Sequence, residues 1–184
     1  MALGKPLARY HPEMATSRGL VLHPHPVLRM KARPVERIDA FVKELVKDLF
    51  RYAKEHEGIG IAAPQLGESL RVFVVLAHDG EPERAFINPR LVLSRPSNLY
   101  DEGCLSLPDI RGEIMRPPHA VITATDIDGN EFTLESDGLF ARVWQHEYDH
   151  LDGILIIDRM RPIDRLVNRR AIRDLERAAP RAGR

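Results

Sequence analysis

Cysteine is scarce: Cys104 is the only one in 184 residues, so no disulfide can form within the chain. That excludes a small secreted scaffold held by bridges and fits a reducing compartment. The lone thiol is left as a core residue, a nucleophile or a metal ligand. Charge of one sign is also missing, since Lys+Arg and Asp+Glu both total 27. Without a global positive field, specific DNA binding is not expected, and any charge-guided partner must be met by a local patch. No apolar run comes near the ~20 residues that a membrane-spanning helix needs. The opening segment, MALGKPLARYHPEMATSRG, holds no continuous apolar stretch of the kind that directs export. A soluble, cytoplasmic protein is expected.

What is present suffices for one core, with 43% apolar residues in a chain of single-domain length. Residues 1–18 mix small, basic and proline residues without a period and read as a flexible extension. Residues 19–178 then form one domain, followed by a short tail, 179–184. From Val35, the positions Ile38, Phe41, Val42, Leu45, Val46, Leu49 and Phe50 follow helical spacing and predict a helix that ends before Gly58. RVFVVLA (71–77) and AFINPRLVLS (85–94) read as strands. HAVITATDI (119–127) and EFTLE (131–135) flank Asp128-Gly129-Asn130, a hairpin signal. A calcium loop starting at Asp126 is excluded, because Glu131 and Asp137 fall where such a loop needs glycine and glutamate. Asp137 offers an N-cap for a helix to about Leu151 with Gly153 as its stop, and a last helix is predicted over Pro162–Arg177. These elements predict an α+β fold: mostly antiparallel sheets packed around a central helix, with an N-terminal and a C-terminal helix.

The central helix carries VWQHEYDHLDG (143–153). His146 and His150, four residues apart, share a helix face, and Glu147 stands beside them. This HExxH spacing supplies two nitrogen ligands and a carboxylate able to take a proton from a water. Leu139 and Val143 share the stripe of the two histidines, while Phe140, Trp144 and Leu151 share that of Glu147, so the polar trio falls on the buried side. Burying such a trio without partners would cost several kcal/mol, roughly, and a metal removes the conflict. The extended motif HExxHxxGxxH fails here, because Gly153 is present but the final position is Ile156. Cys104, in EGCLSLP (102–108), is the obvious alternative third ligand. A further segment, GIGIAAPQLG (58–67), lacks the Lys-Ser/Thr of a phosphate loop and the spacing of a dinucleotide loop.

Taken together, GIGIAAPQ, EGCLS and QHEYDH, in that order, resemble the peptide deformylases, whose pattern is GxGxAAxQ, EGCLS and QHExDH; the resemblance covers about residues 20–178. It implies removal of the formyl group from the initiator methionine of new proteins, with formyl-methionyl nascent peptides as partners. It also implies one divalent metal ion per chain, iron(II) in the cell, with zinc(II), nickel(II) or cobalt(II) as alternatives. Cys104, His146 and His150 would be the ligands, and Glu147 general base and then general acid. Gln65 and the backbone N–H of Leu105 would stabilise the oxyanion. Ile59, Gly60, Gly103, Arg111, Leu139 and Arg142 would contact substrate, and Glu102 would orient His146. Trp144, His23, His25 and His119 read as ordinary packing or surface residues. Arg165, Arg169, Arg170, Arg173 and Arg177 form a local basic patch on the last helix, and some relatives dock such a helix on the ribosome. Two other readings of the residues stay open: a general zinc endopeptidase, and a metal-stabilised peptide- or ribosome-binding protein.

Overall fold

The computed structural model describes residues 18–94 and 97–179. The predicted extension lies outside the described residues except for Arg18, which ion-pairs with Asp48 and Glu68. Of the predicted tail, only Ala179 is described.

The fold is α+β. Five antiparallel strands form the main sheet in the order β1-β2-β3-β6-β7, and β4 and β5 form a separate hairpin. The strands are β1 (Gly60–Ala62), β2 (Val72–Val75), β3 (Arg84–Leu93), β4 (Asn98–Cys104), β5 (Leu107–Arg116), β6 (His119–Thr125) and β7 (Glu131–Asp137). The helices are α1 (Ala40–Glu55), α2 (Leu139–Leu151), the short α3 (Ile156–Arg159) and α4 (Pro162–Ala178).

β2 explains the layering. Its side chains alternate across the sheet, and all four are buried. Val72 and Val74 pack with Leu45, Val46 and Leu49 of α1. Phe73 and Val75 pack on the other face with Phe86, Val143 and Trp144. Helix α2 is thus held against one sheet face by its apolar stripe while its polar stripe turns toward the β4–β5 hairpin. A third core joins Leu107, Ile110 and Ile114 of β5 to Ile156 and Ile157 of α3 and Ile172 of α4.

Several local expectations are corrected. The N-terminal helix starts at Ala40 rather than Val35, because the Asp39 side chain accepts from the Val42 N–H and caps it there. Val35 instead exchanges two hydrogen bonds with the Asn88 amide. Asp137 does not cap α2: it closes β7 opposite His119, and Gly138, at φ 75°, is the N-cap, with no side-chain cap. The hairpin between β6 and β7 forms as predicted, with Asp126 Oδ1 accepting from the Asp128 and Asn130 N–H groups. Gly153 follows α2 as predicted, at φ 73°, and a Cβ there would stand 2.7 Å from the Arg29 carbonyl. The β4–β5 hairpin and α3 had no counterpart among the predicted elements.

Candidate active site

Helix α2 presents His146, Glu147 and His150 toward the end of β4, where the register shifts between Gly103 and Cys104. That irregularity brings the Cys104 thiol to 3.3 Å from His150 Nε2. One ligand atom from each of Cys104, His146 and His150 lies within 4.8 Å of the others. Their ring and sulfur atoms converge on one point, as the sequence spacing required of the helix and could not specify for the strand.

The orientation of His146 is set from behind. Its Nδ1 lies 3.1 Å from Glu102 Oε2, which leaves Nε2 for the cluster. Glu102 in turn accepts from Arg116 at 2.7 and 3.0 Å and from Arg142 Nη1 at 3.3 Å. Burial pushes the Glu102 carboxyl up, but the hydrogen bonds of His146 and Arg116 prevail and hold it down to about 2. Arg116 also donates to Asp149 at 2.8 Å, and Asp149 accepts from Arg159. A chain of ion pairs, buried at Glu102, Arg116 and Asp149, therefore runs from His146 through β4 and β5 back to α2 and ends at the exposed Arg159 of α3. Arg116 and Asp149 were not singled out from the sequence: Arg116 stands in no motif, and Asp149 lies inside QHEYDH without a spacing argument of its own.

Glu147 is buried, and its Oε2 has no hydrogen-bond partner. Burial raises its carboxyl to about 7 against the pull of His146 and Arg116, within the range in which a carboxylate can both take and return a proton near neutral pH. Gly60 makes room for it: a Cβ there would stand 2.8 Å from Glu147 Oε1 and 3.0 Å from Val143 Cγ1. Burial pushes His150 well below its ordinary value. For His146 burial acts in the same direction, yet hydrogen bonds with Cys104 and Glu102 overcome it and carry the group well above its ordinary value.

Gln65 is held at both ends of its amide. Oε1 accepts from the Ala62 N–H at 2.9 Å, while Nε2 faces Ser106 Oγ at 3.2 Å and Cys104 Sγ at 3.7 Å. The short 3₁₀ turn at Ala63–Leu66, which the sequence showed only as a glycine-containing loop, fixes that placement.

A cavity of about 540 Å³ opens over this constellation. Every expected site residue lines it except His150, which is buried beneath: Ile59, Gly60, Gln65, Glu102, Gly103, Cys104, Leu105, Arg111, Leu139, Arg142, His146 and Glu147 all face it. Their surroundings differ. Arg111 is exposed and ion-pairs with Asp101 at 2.7 Å, whereas Arg142 is buried with its guanidinium over the Tyr100 ring.

The residues fit a bound divalent ion. A thiol and two imidazoles converge, and His150 Nδ1 and Glu147 Oε2 are buried without partners. Such a set is costly to bury alone and suits a borderline-soft cation with an open coordination position.

Comparison with known proteins gives one consistent result. The family model described as "Polypeptide deformylase" matches residues 17–166. Peptide deformylase 1 of Clostridium perfringens is 43% identical over 141 residues, covering 77% of this chain and 96% of its own. Peptide deformylase of Brucella suis is 42% identical over 150 residues, covering 79% and 86%. Among solved structures, a plant peptide deformylase aligns with TM-score 0.83 at 36% identity, covering 90% of this chain and 92% of that one. A Plasmodium falciparum peptide deformylase in complex with an inhibitor aligns with TM-score 0.80 at 36% identity, covering 86% and 99%.

Proposed function

The chain belongs to the polypeptide deformylase family, and from that premise we propose how its own residues divide the work. It is a metal-dependent hydrolase that removes the N-terminal formyl group of nascent peptides. Cys104, His146 and His150 hold the ion. When bound, the ion would supply Lewis acidity, making a water more acidic and a carbonyl more strongly polarised.

Glu147 takes the proton from the attacking water and returns it to the amine that leaves, so one carboxyl serves both halves of the reaction. Its elevated pKa and its place beside the ligands carry this assignment. As the formyl carbon becomes tetrahedral, its oxygen gains charge, and the Gln65 amide together with the Leu105 N–H stabilises it. The hydrogen bond from the Ala62 N–H keeps the Gln65 donor end turned toward Cys104. Glu102 fixes the ring of His146 and marks which nitrogen faces the ion. The peptide lies along Ile59–Gly60 and Gly103 as an added strand, its first side chain in the pocket that Ile59, Leu139 and Arg142 wall. Arg111, at the mouth, contacts the peptide further along.

Family resemblance favours iron(II) in the cell, and the donor set also accepts zinc(II), nickel(II) or cobalt(II). Cytoplasmic action follows from the substrate, and among the described residues no helix is long and apolar enough to cross a membrane. Contact with the ribosome is assigned to α4, whose exposed Ile163, Leu166 and Val167 lie among exposed arginines. The test is formate release from a formyl-methionyl peptide by protein prepared without oxygen, with Glu147→Ala as control. Turnover by the wild type and its loss in the variant are expected; cleavage of unformylated peptides instead would favour a general endopeptidase.

A further inference from the structure

Arg142 is an odd wall for a pocket that receives methionine. Its neighbours along the cavity, Ile59, Leu139 and Val143, are apolar, yet it brings a guanidinium, on a residue that is only 6% exposed. One of its nitrogens, Nη1, reaches Glu102 at 3.3 Å. The other two, Nε and Nη2, are shielded from solvent and have no partner. One face of the guanidinium is covered by Tyr100, whose ring centre lies 3.2 Å from Cζ. Tyr100 itself is 43% exposed, so this cover can swing away without disturbing a core.

A buried cation with two unpaired donors calls for an explanation, because such donors are costly unless an acceptor meets them. Glu102 cannot supply more: its two oxygens are already shared among Arg116, His146 and Arg142. No other acceptor among the described residues reaches Nε or Nη2. The remaining candidate is an acceptor carried by an occupant of the cavity that Arg142 lines, reaching Nε or Nη2 once the Tyr100 ring moves aside.

We infer that Arg142 extends the substrate range of this pocket to formylated peptides whose first side chain ends in a hydrogen-bond acceptor, methionine sulfoxide being the nearest in shape to methionine. The inference rests on the reading that the cavity receives the first side chain of the substrate. The thioether of methionine is only a weak acceptor and gains little from the guanidinium. The sulfoxide oxygen is a strong one, and a charge-assisted hydrogen bond to Nε or Nη2 offsets the loss of its water. A wholly apolar wall would instead reject the sulfoxide by about 10- to 100-fold, the cost of an unpaired buried polar group. Norleucine, similar in size and without an acceptor, is the natural reference.

The experiment compares kcat/KM for four peptides that differ only in the first residue: formyl-methionine, formyl-norleucine and the two epimers of formyl-methionine sulfoxide. Formate release is followed with metal-loaded wild type and Arg142→Met. In the wild type, at least one sulfoxide epimer is expected within about tenfold of norleucine. In the variant, the sulfoxide-to-norleucine ratio is expected to fall by about tenfold or more. Because the ratio is taken within one sample, metal loading and fold content cancel, and a merely structural role for Arg142 would not move it. A wild-type ratio below about one-tenth, or an equal ratio in both proteins, overturns the inference. If Arg142→Met does not fold, the wild-type ratio decides alone. Absence of formate even from the formyl-methionyl peptide, with metal bound, would sink the deformylase assignment itself.

Discussion

Glu147 and Gln65 differ in what their loss should reveal. Replacing Glu147 by Gln keeps the shape and removes the base, so metal content should persist while formate release falls by roughly 10²- to 10⁴-fold. The same substitution has a stability consequence of known sign. Burial raises the folded-state carboxyl to about 7 from an ordinary 4.5, so the contribution of Glu147 is fully present below pH 4.5 and is lost as pH rises through 7. Metal-free wild type should therefore lose more melting temperature between pH 5 and pH 8 than metal-free Glu147→Gln, and parallel curves would contradict the burial effect. Gln65→Ala should also keep its metal but lose roughly 10²-fold in turnover, the usual cost of one oxyanion donor. Near-wild-type formate release would remove Gln65 from the mechanism.

Among the elements, α2 carries most of the chemistry, and its end is fixed by Gly153. That residue has φ 73°, and a Cβ would meet the Arg29 carbonyl carbon and oxygen at 2.7 Å. Gly153→Ala combines backbone strain with a clash against main chain, and a loss of about 2 kcal/mol or more in urea unfolding is expected. A change within 0.5 kcal/mol, roughly the range of neutral surface substitutions, would show that the loop yields. The α2 motif was legible in sequence because a helix turns a spacing of four into a shared face. β4 was not, because Asn98–Tyr100 and Asp101 are exposed and the strand presents no buried alternation to read; β5 does alternate from Ile110 to Arg116, but its buried positions include Gly112 and Arg116, which do not read as an apolar face. Cys104 could be nominated as the only thiol, but its closeness to His150 depends on the register shift after Gly103, a tertiary feature. Asp137 misled as a cap because its place is set by pairing with His119 across β6 and β7. Arg116 was invisible for a similar reason: Glu102 and Asp149, its partners, are far away in sequence.

At the scale of the whole molecule, three packed cores surround a site cavity bounded by β1, the β4–β5 hairpin and α2, with α4 outside on β5. Only Ile172 of α4 is buried, so the helix offers most of its surface outward. Reversing charge at the exposed Arg169 and Arg173 should leave formate release from short peptides unchanged while reducing cosedimentation with ribosomes in a salt-dependent way. Unaltered cosedimentation would remove α4 from that contact. Everything else depends on the ion being held jointly by one strand and one helix. The most direct measurement is X-ray absorption at the metal edge of protein loaded with one equivalent of zinc(II), paired with Cys104→Ser. One sulfur and two imidazole nitrogens around the metal are expected in the wild type, with the sulfur lost in the variant. A shell without sulfur, or one unchanged by Cys104→Ser, would contradict the assigned metal centre.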